Sequence, residues 1–150
     1  MVPGKSRTLR LPIYIHASSK RVFRWIVEPK KITRWLSDSA ALSRRKGGRY
    51  SLGWTDGPTH SGTVLEYSRG RGYTLTWAWP GKESLGSTKL RLSIESKGDG
   101  TLLRFTHSGF QRSEEWDELY EGAIRGWTYF MMNLKSRIEN HHDLRSPHDW

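Results

Sequence analysis

Near the C-terminus, Trp116, Tyr120, Ala123, Trp127, Phe130, Leu134 and Ile138 recur at steps of three and four. That spacing puts them on one stripe of a helix about six turns long. So long a helix with so wide an apolar face must be covered by other parts of the chain. Ser113 stands where an N-cap is needed, and Glu114, Glu115, Asp117 and Glu118 complement the positive end of the helix dipole. Lys135 and Arg137 suit its other end. Gly122 and Gly126 interrupt the helix at a cost of about 1 kcal/mol each relative to Ala, which predicts close packing, a bend or a cavity wall there. The segment 140–150 reads as a flexible polar tail, and residues 1–139 as one domain.

The cover is an antiparallel meander. From Arg49 to His107 short alternating runs are separated by turn residues: Asp56-Gly57-Pro58, Arg69-Gly70-Arg71-Gly72, Pro80-Gly81 and Gly98-Asp99-Gly100. Strands are expected at Arg49 to Trp54, Ser61 to Tyr67, Tyr73 to Trp79, Ser87 to Ser96 and Thr101 to His107. Tyr73, Leu75, Trp77 and Trp79 share one face, as do Leu90, Leu92 and Ile94, and Leu103, Phe105 and His107. Parity alone leaves the direction of Glu66 open. Ahead of the meander, Leu9, Leu11, Ile13 and Ile15 alternate along another strand, which Pro12 marks as an edge or bulged strand. Ser18 and Ser19 then offer an N-cap to a helix presenting Val22, Phe23, Ile26 and Val27, and Pro29 stops it and opens a second short helix. Ser37 to Lys46 reads as a polar link. The architecture expected is α+β, a curved antiparallel sheet of six to seven strands around one long helix, with two short helices after the first strand.

The formal charge of +10 is unevenly distributed: 13 of the 25 Lys and Arg fall in residues 1–49, against Glu28 and Asp38. A basic face of this kind steers acidic partners, and Lys30, Lys31 and Arg34 form its candidate docking group. Nucleic acid is not favoured as that partner, because the cluster lacks interleaved exposed aromatics and a recognition-helix pattern. The chain has no cysteine and no apolar run long enough to span a membrane, which suits a soluble protein of the reducing cytoplasm. Signatures of phosphate loops, dinucleotide sites, serine hydrolases and zinc proteases are missing. No cofactor is assigned, and the histidines at 141, 142 and 148 are not assigned as a metal site.

Several segments carry a family resemblance. Ile15-His16-Ala17-Ser18-Ser19-Lys20-Arg21-Val22-Phe23-Arg24, Glu28-Pro29, Thr33-Arg34-Trp35-Leu36, Gly47-Gly48-Arg49-Tyr50, Gly62-Thr63-Val64-Leu65-Glu66, Leu75-Thr76-Trp77, Thr106-His107-Ser108-Gly109-Phe110 and Gly126-Trp127 run through most of the chain. Together they resemble the C-terminal domain of the heat-shock-protein-90 ATPase activator and its bacterial homologues, in the SRPBCC superfamily. The resemblance implies the helix-grip fold, shared with START lipid-binding domains and polyketide aromatase/cyclases, and a cavity between helix and sheet.

Eight tryptophans in 150 residues are several times the usual frequency, and each serves equally as core packing or as a candidate cavity wall. The candidate ligand-binding set is Trp35, Tyr50, Trp54, Trp77, Trp79, Phe105, His107, Trp116, Tyr120, Trp127 and Phe130, with His107 as the polar anchor. Three readings follow. The first is a non-catalytic domain binding a small hydrophobic ligand that is aromatic, polyketide-like or lipid. The second is a partner of an acidic protein such as a chaperone, and the third is a cyclase-type enzyme using the same cavity. Binding without catalysis is favoured, in a monomer or weak dimer.

Overall fold

The computed structural model describes residues 6–145. The chain runs β1 (Arg7–Ile15), α1 (Ser19–Val27), α2 (Pro29–Ile32), β2 (Ser39–Leu42), β3 (Arg49–Gly53), β4 (Thr59–Ser68), β5 (Gly72–Trp77), a 3-10 turn (Glu83–Leu85), β6 (Thr88–Lys97), β7 (Gly100–Phe110) and α3 (Glu114–Asn140). The strands form one antiparallel sheet in the order β1-β7-β6-β5-β4-β3-β2. β1 is therefore an edge strand, the first of the two placements Pro12 allowed. α1, α2 and α3 cover the inner face, where Val22, Ile26, Leu75, Leu90, Leu103, Phe105, Leu134 and Ile138 form a continuous core.

Local chemistry accounts for the helix ends. Ser18 accepts a hydrogen bond from the Arg21 N–H at 3.2 Å, and Ser113 accepts one from the Trp116 N–H at 3.1 Å. α3 stops at His141, which takes a left-handed conformation (φ 56°) and donates its N–H to the Ser136 carbonyl. At Gly72 (φ 149°) the turn into β5 passes so close to β6 that a Cβ would lie 1.9 Å from the Leu92 carbonyl oxygen. Only glycine fits there.

Four sequence expectations change. The supposed polar link contains β2, whose Ser-Ala-Ala-Leu sequence lacks the β-branched and aromatic residues by which strands are usually read, yet which pairs with β3 from Ser39↔Gly53 to Leu42↔Tyr50. β5 ends at Trp77, so Trp79 lies in the following loop. β7 continues past His107 to Phe110. Residues 141–145 are tied to the body. Asn133 Nδ2 donates to the Trp35 carbonyl and to Asp143 at 3.0 Å each, and Arg145 donates to the Thr33 carbonyl at 2.9 Å. Burial opposes ionisation of Asp143, but the hydrogen bonds from Arg145 and Asn133 win and hold its carboxyl down at about 2. The rest of the expected tail, 146–150, lies outside the described residues.

A register shift between Val64 and Glu66 settles the direction of Glu66. Before the shift His60, Gly62 and Val64 point inward and are buried. After it the parity reverses, Glu66 is exposed, and Tyr67 packs against Phe23 with ring centroids 6.2 Å apart.

Candidate ligand-binding cavity

Between the middle of α3 and the β3–β4 hairpin lies a hollow of about 520 Å³. Trp54, Trp77, Trp127 and Phe130 are its aromatic walls, His60 lies among them, and Gly122, Ala123 and Gly126 form the α3 side. The turn Asp56-Gly57-Pro58 and Asp38 complete the lining. Small-molecule pockets span roughly 300–1,000 Å³. Two α3 positions leave space unfilled: a Cβ added at Gly122 or Gly126 would meet nothing within 4 Å.

The aromatic lining is held in place by neighbouring rings. The His60 ring stacks on Trp77 at 4.2 Å with 15° between planes and meets the edge of Trp54 at 5.9 Å. Its Nδ1 is 2.8 Å from the Ala78 carbonyl. A carbonyl only accepts, so Nδ1 carries the proton and Nε2 is left as an acceptor. Burial lowers the His60 pKa and outweighs the opposing effect of that hydrogen bond, so the ring is neutral at pH 7. Trp77 also packs against Trp127 at 5.3 Å, and Trp127 against Phe130 at 6.1 Å.

Of the eleven candidate residues, Trp54, Trp77, Trp127 and Phe130 line this hollow and seven do not. Trp79, Phe105, His107, Trp116 and Tyr120 belong to packing at the closed end of the helix-sheet gap. Trp79 stacks on His107 at 5.9 Å, Trp116 meets Trp79 edge-on at 5.9 Å, and Tyr120 meets Phe110 at 5.1 Å. Phe105 packs against Trp127 at 4.8 Å. Trp35 is fully buried and donates Nε1–H to the Trp25 carbonyl at 2.9 Å. Tyr50 stands behind Trp77, its hydroxyl given to the Thr76 carbonyl at 2.7 Å.

His107 is not a polar anchor in this hollow. It is 0% exposed, its Nε2 lies 2.6 Å from the Thr88 hydroxyl, and that hydroxyl donates to the Trp77 carbonyl at 3.1 Å. The Thr88 proton being committed, Nε2–H donates to Oγ1 and Nδ1 is left an unpaired acceptor. Burial pushes its pKa down to about 3. His60 and Asp38 were missed from the sequence. His60 lies just before the strand start expected at Ser61, although it alternates with Gly62 and Val64; Asp38 lies in the supposed link.

The basic candidates form a separate feature. Lys31 Nζ lies 4.7 Å and Arg34 Cζ 5.9 Å from the centre of the Trp25 ring, in a recess of about 230 Å³ shared with Arg21, Arg24 and His141. Lys30 is exposed outside that recess. Among the described residues no cluster of three metal-ligating side chains occurs, and no helix is long and apolar enough to cross a membrane.

A seven-stranded sheet gripping one long helix, with an aromatic hollow left between them, defines a helix-grip domain. The chain belongs to the activator of Hsp90 ATPase homolog 1-like protein family, whose model matches residues 16–139. Its fold is similar to that of protein MLL2253 from Mesorhizobium loti (22% identity, TM-score 0.79, 92% of this chain and 100% of that one). It is also similar to the Aha1 dimer from Colwellia psychrerythraea (19% identity, TM-score 0.75, 89% and 97%). A third similar structure is DynU16, a protein of the dynemicin biosynthetic locus (18% identity, TM-score 0.75, 95% and 50%). No curated protein matches the chain.

Proposed function

We propose that the chain is a binding domain whose hollow takes a small hydrophobic molecule, aromatic, polyketide-like or lipid, and releases it unchanged. The observation that carries this reading is the placement of four aromatic walls around a space that Gly122 and Gly126 leave open. The place of the similar DynU16 in a biosynthetic locus supports a ligand of natural-product type. Burial of His107 speaks against the cyclase reading, since a base with so low a pKa and no accessible surface makes a poor proton shuttle at neutral pH.

The test is a panel of tricyclic aromatics, polyketide-like phenols and fatty acids, read by emission of Trp54, Trp77 and Trp127 and by calorimetry. At least one class should bind the wild type and lose affinity for Gly126→Leu, which fills the hollow from α3. Silence across the whole panel would sink the reading.

The recess over Trp25 supports a second reading, docking of an acidic protein such as a chaperone on Lys30, Lys31 and Arg34. Charge reversal at those three positions should abolish such an association, and moderate salt should weaken it strongly.

A further inference from the structure

The hollow is apolar within and acidic at its solvent edge. Asp38 and Asp56 are exposed, and they carry the only full charges among the described residues that line it. This occurs in a chain with 25 Lys and Arg against 15 Asp and Glu. Asp38 is fixed in place: its Oδ2 accepts the Thr55 N–H at 2.7 Å, joining the start of β2 to the β3–β4 turn. That hydrogen bond also holds its pKa below the ordinary carboxylate value, so it is ionised at neutral pH. His60 is neutral and adds no opposing charge, and Arg145, the cation whose field reaches Asp38, is ion-paired with Asp143.

We propose that the hollow selects a planar aromatic molecule bearing a positive charge, with the ring among Trp54, Trp77, Trp127 and Phe130 and the cationic group at the Asp38 and Asp56 edge. The inference rests on the ligand-binding reading above and names the class of molecule it takes. Two effects act in one direction: the carboxylates attract the cation through Coulomb forces, and the aromatic faces attract it through their negative π-clouds. The overall charge of +10 acts the other way, so non-specific electrostatics would favour an anion.

Calorimetric titration of three matched probes, 2-naphthylmethylammonium, 2-naphthalenemethanol and 2-naphthoate, at pH 7.5 and low salt separates the possibilities. The ammonium should bind roughly fivefold to tenfold more tightly than the alcohol, and the naphthoate most weakly. The double variant Asp38→Asn/Asp56→Asn keeps an acceptor for the Thr55 N–H. It should lose the preference for the ammonium while binding the alcohol as before, and Gly126→Leu should weaken every probe that binds. Equal binding of the three probes, or tightest binding of naphthoate, overturns the charge selection and leaves the cavity reading standing. If none of the three binds, the charge selection is overturned too, and the cavity reading then stands or falls on the wider panel.

Discussion

The two ends of the helix-sheet gap are built from the same kinds of residue and come out differently. At one end His107 lies among Trp79, Phe105 and Phe110 with no exposed surface. At the other His60 lies among Trp54 and Trp77, beside open space. Trp77 is the partition, stacked on His60 and edge-on to His107 at 6.3 Å. α3 gives rings to both ends, Trp116 and Tyr120 to the closed one and Trp127 and Phe130 to the open one, and the difference is that the open end also meets the side-chain-free positions Gly122 and Gly126. Space in this fold is set by what the helix omits.

The sharpest way to break that comparison is to truncate one ring at each end. Phe110→Ala removes a fully buried ring and should cost about 3–5 kcal/mol in denaturant unfolding. Phe130→Ala removes a half-buried ring at the hollow's wall and should cost less than half as much.

Acid should tell the histidines apart from ordinary surface groups. The His107 pKa is about 3 when folded and 6.5 when free, so its contribution is fully present above pH 6.5 and falls as the pH drops toward 3. The unfolded chain takes up a proton there that the folded one refuses, at about 1.4 kcal/mol per pH unit below 6.5. Unfolding free energy should therefore fall by about 2 kcal/mol between pH 7 and pH 5, with His60 acting in the same direction, and His107→Phe should flatten that slope. Thr88→Val leaves the Trp77 carbonyl and His107 Nε2 without their shared partner, an expected loss of about 1.5 kcal/mol by urea midpoint. The smallest effect has the opposite sign: Gly126→Ala should stabilise by about 0.5–1 kcal/mol in thermal unfolding, because the methyl group meets nothing and the helix gains propensity.

Much of this was legible in the sequence, and the misses have physical causes. The α3 stripe and the alternation in β5, β6 and β7 put the core and the aromatic gap on the page. Periodicity reports which way a residue points, but not how deep it lies along the gap. Inward-facing Phe105, His107 and Trp116 therefore looked equivalent to Trp127 until the helix side chains opposite them were placed. Gly122 and Gly126 were the signal that separated them. β2 stayed hidden because small polar and alanine residues make a strand when a partner is already there, and the parity change after Val64 cannot be read from alternation alone.

The sheet order has a consequence for how the molecule is made. β1 pairs residue for residue with β7, from Thr8↔Ser108 to Ile15↔Thr101, so during synthesis β1 waits for some ninety further residues, about the separation of the paired positions, before it finds its neighbour. Contacts that distant in sequence slow folding, since the chain between them must be closed into a loop first. Until then β1 carries unpaired backbone groups, and Pro12 with the charged Arg10 limits its use as a template by another nascent chain.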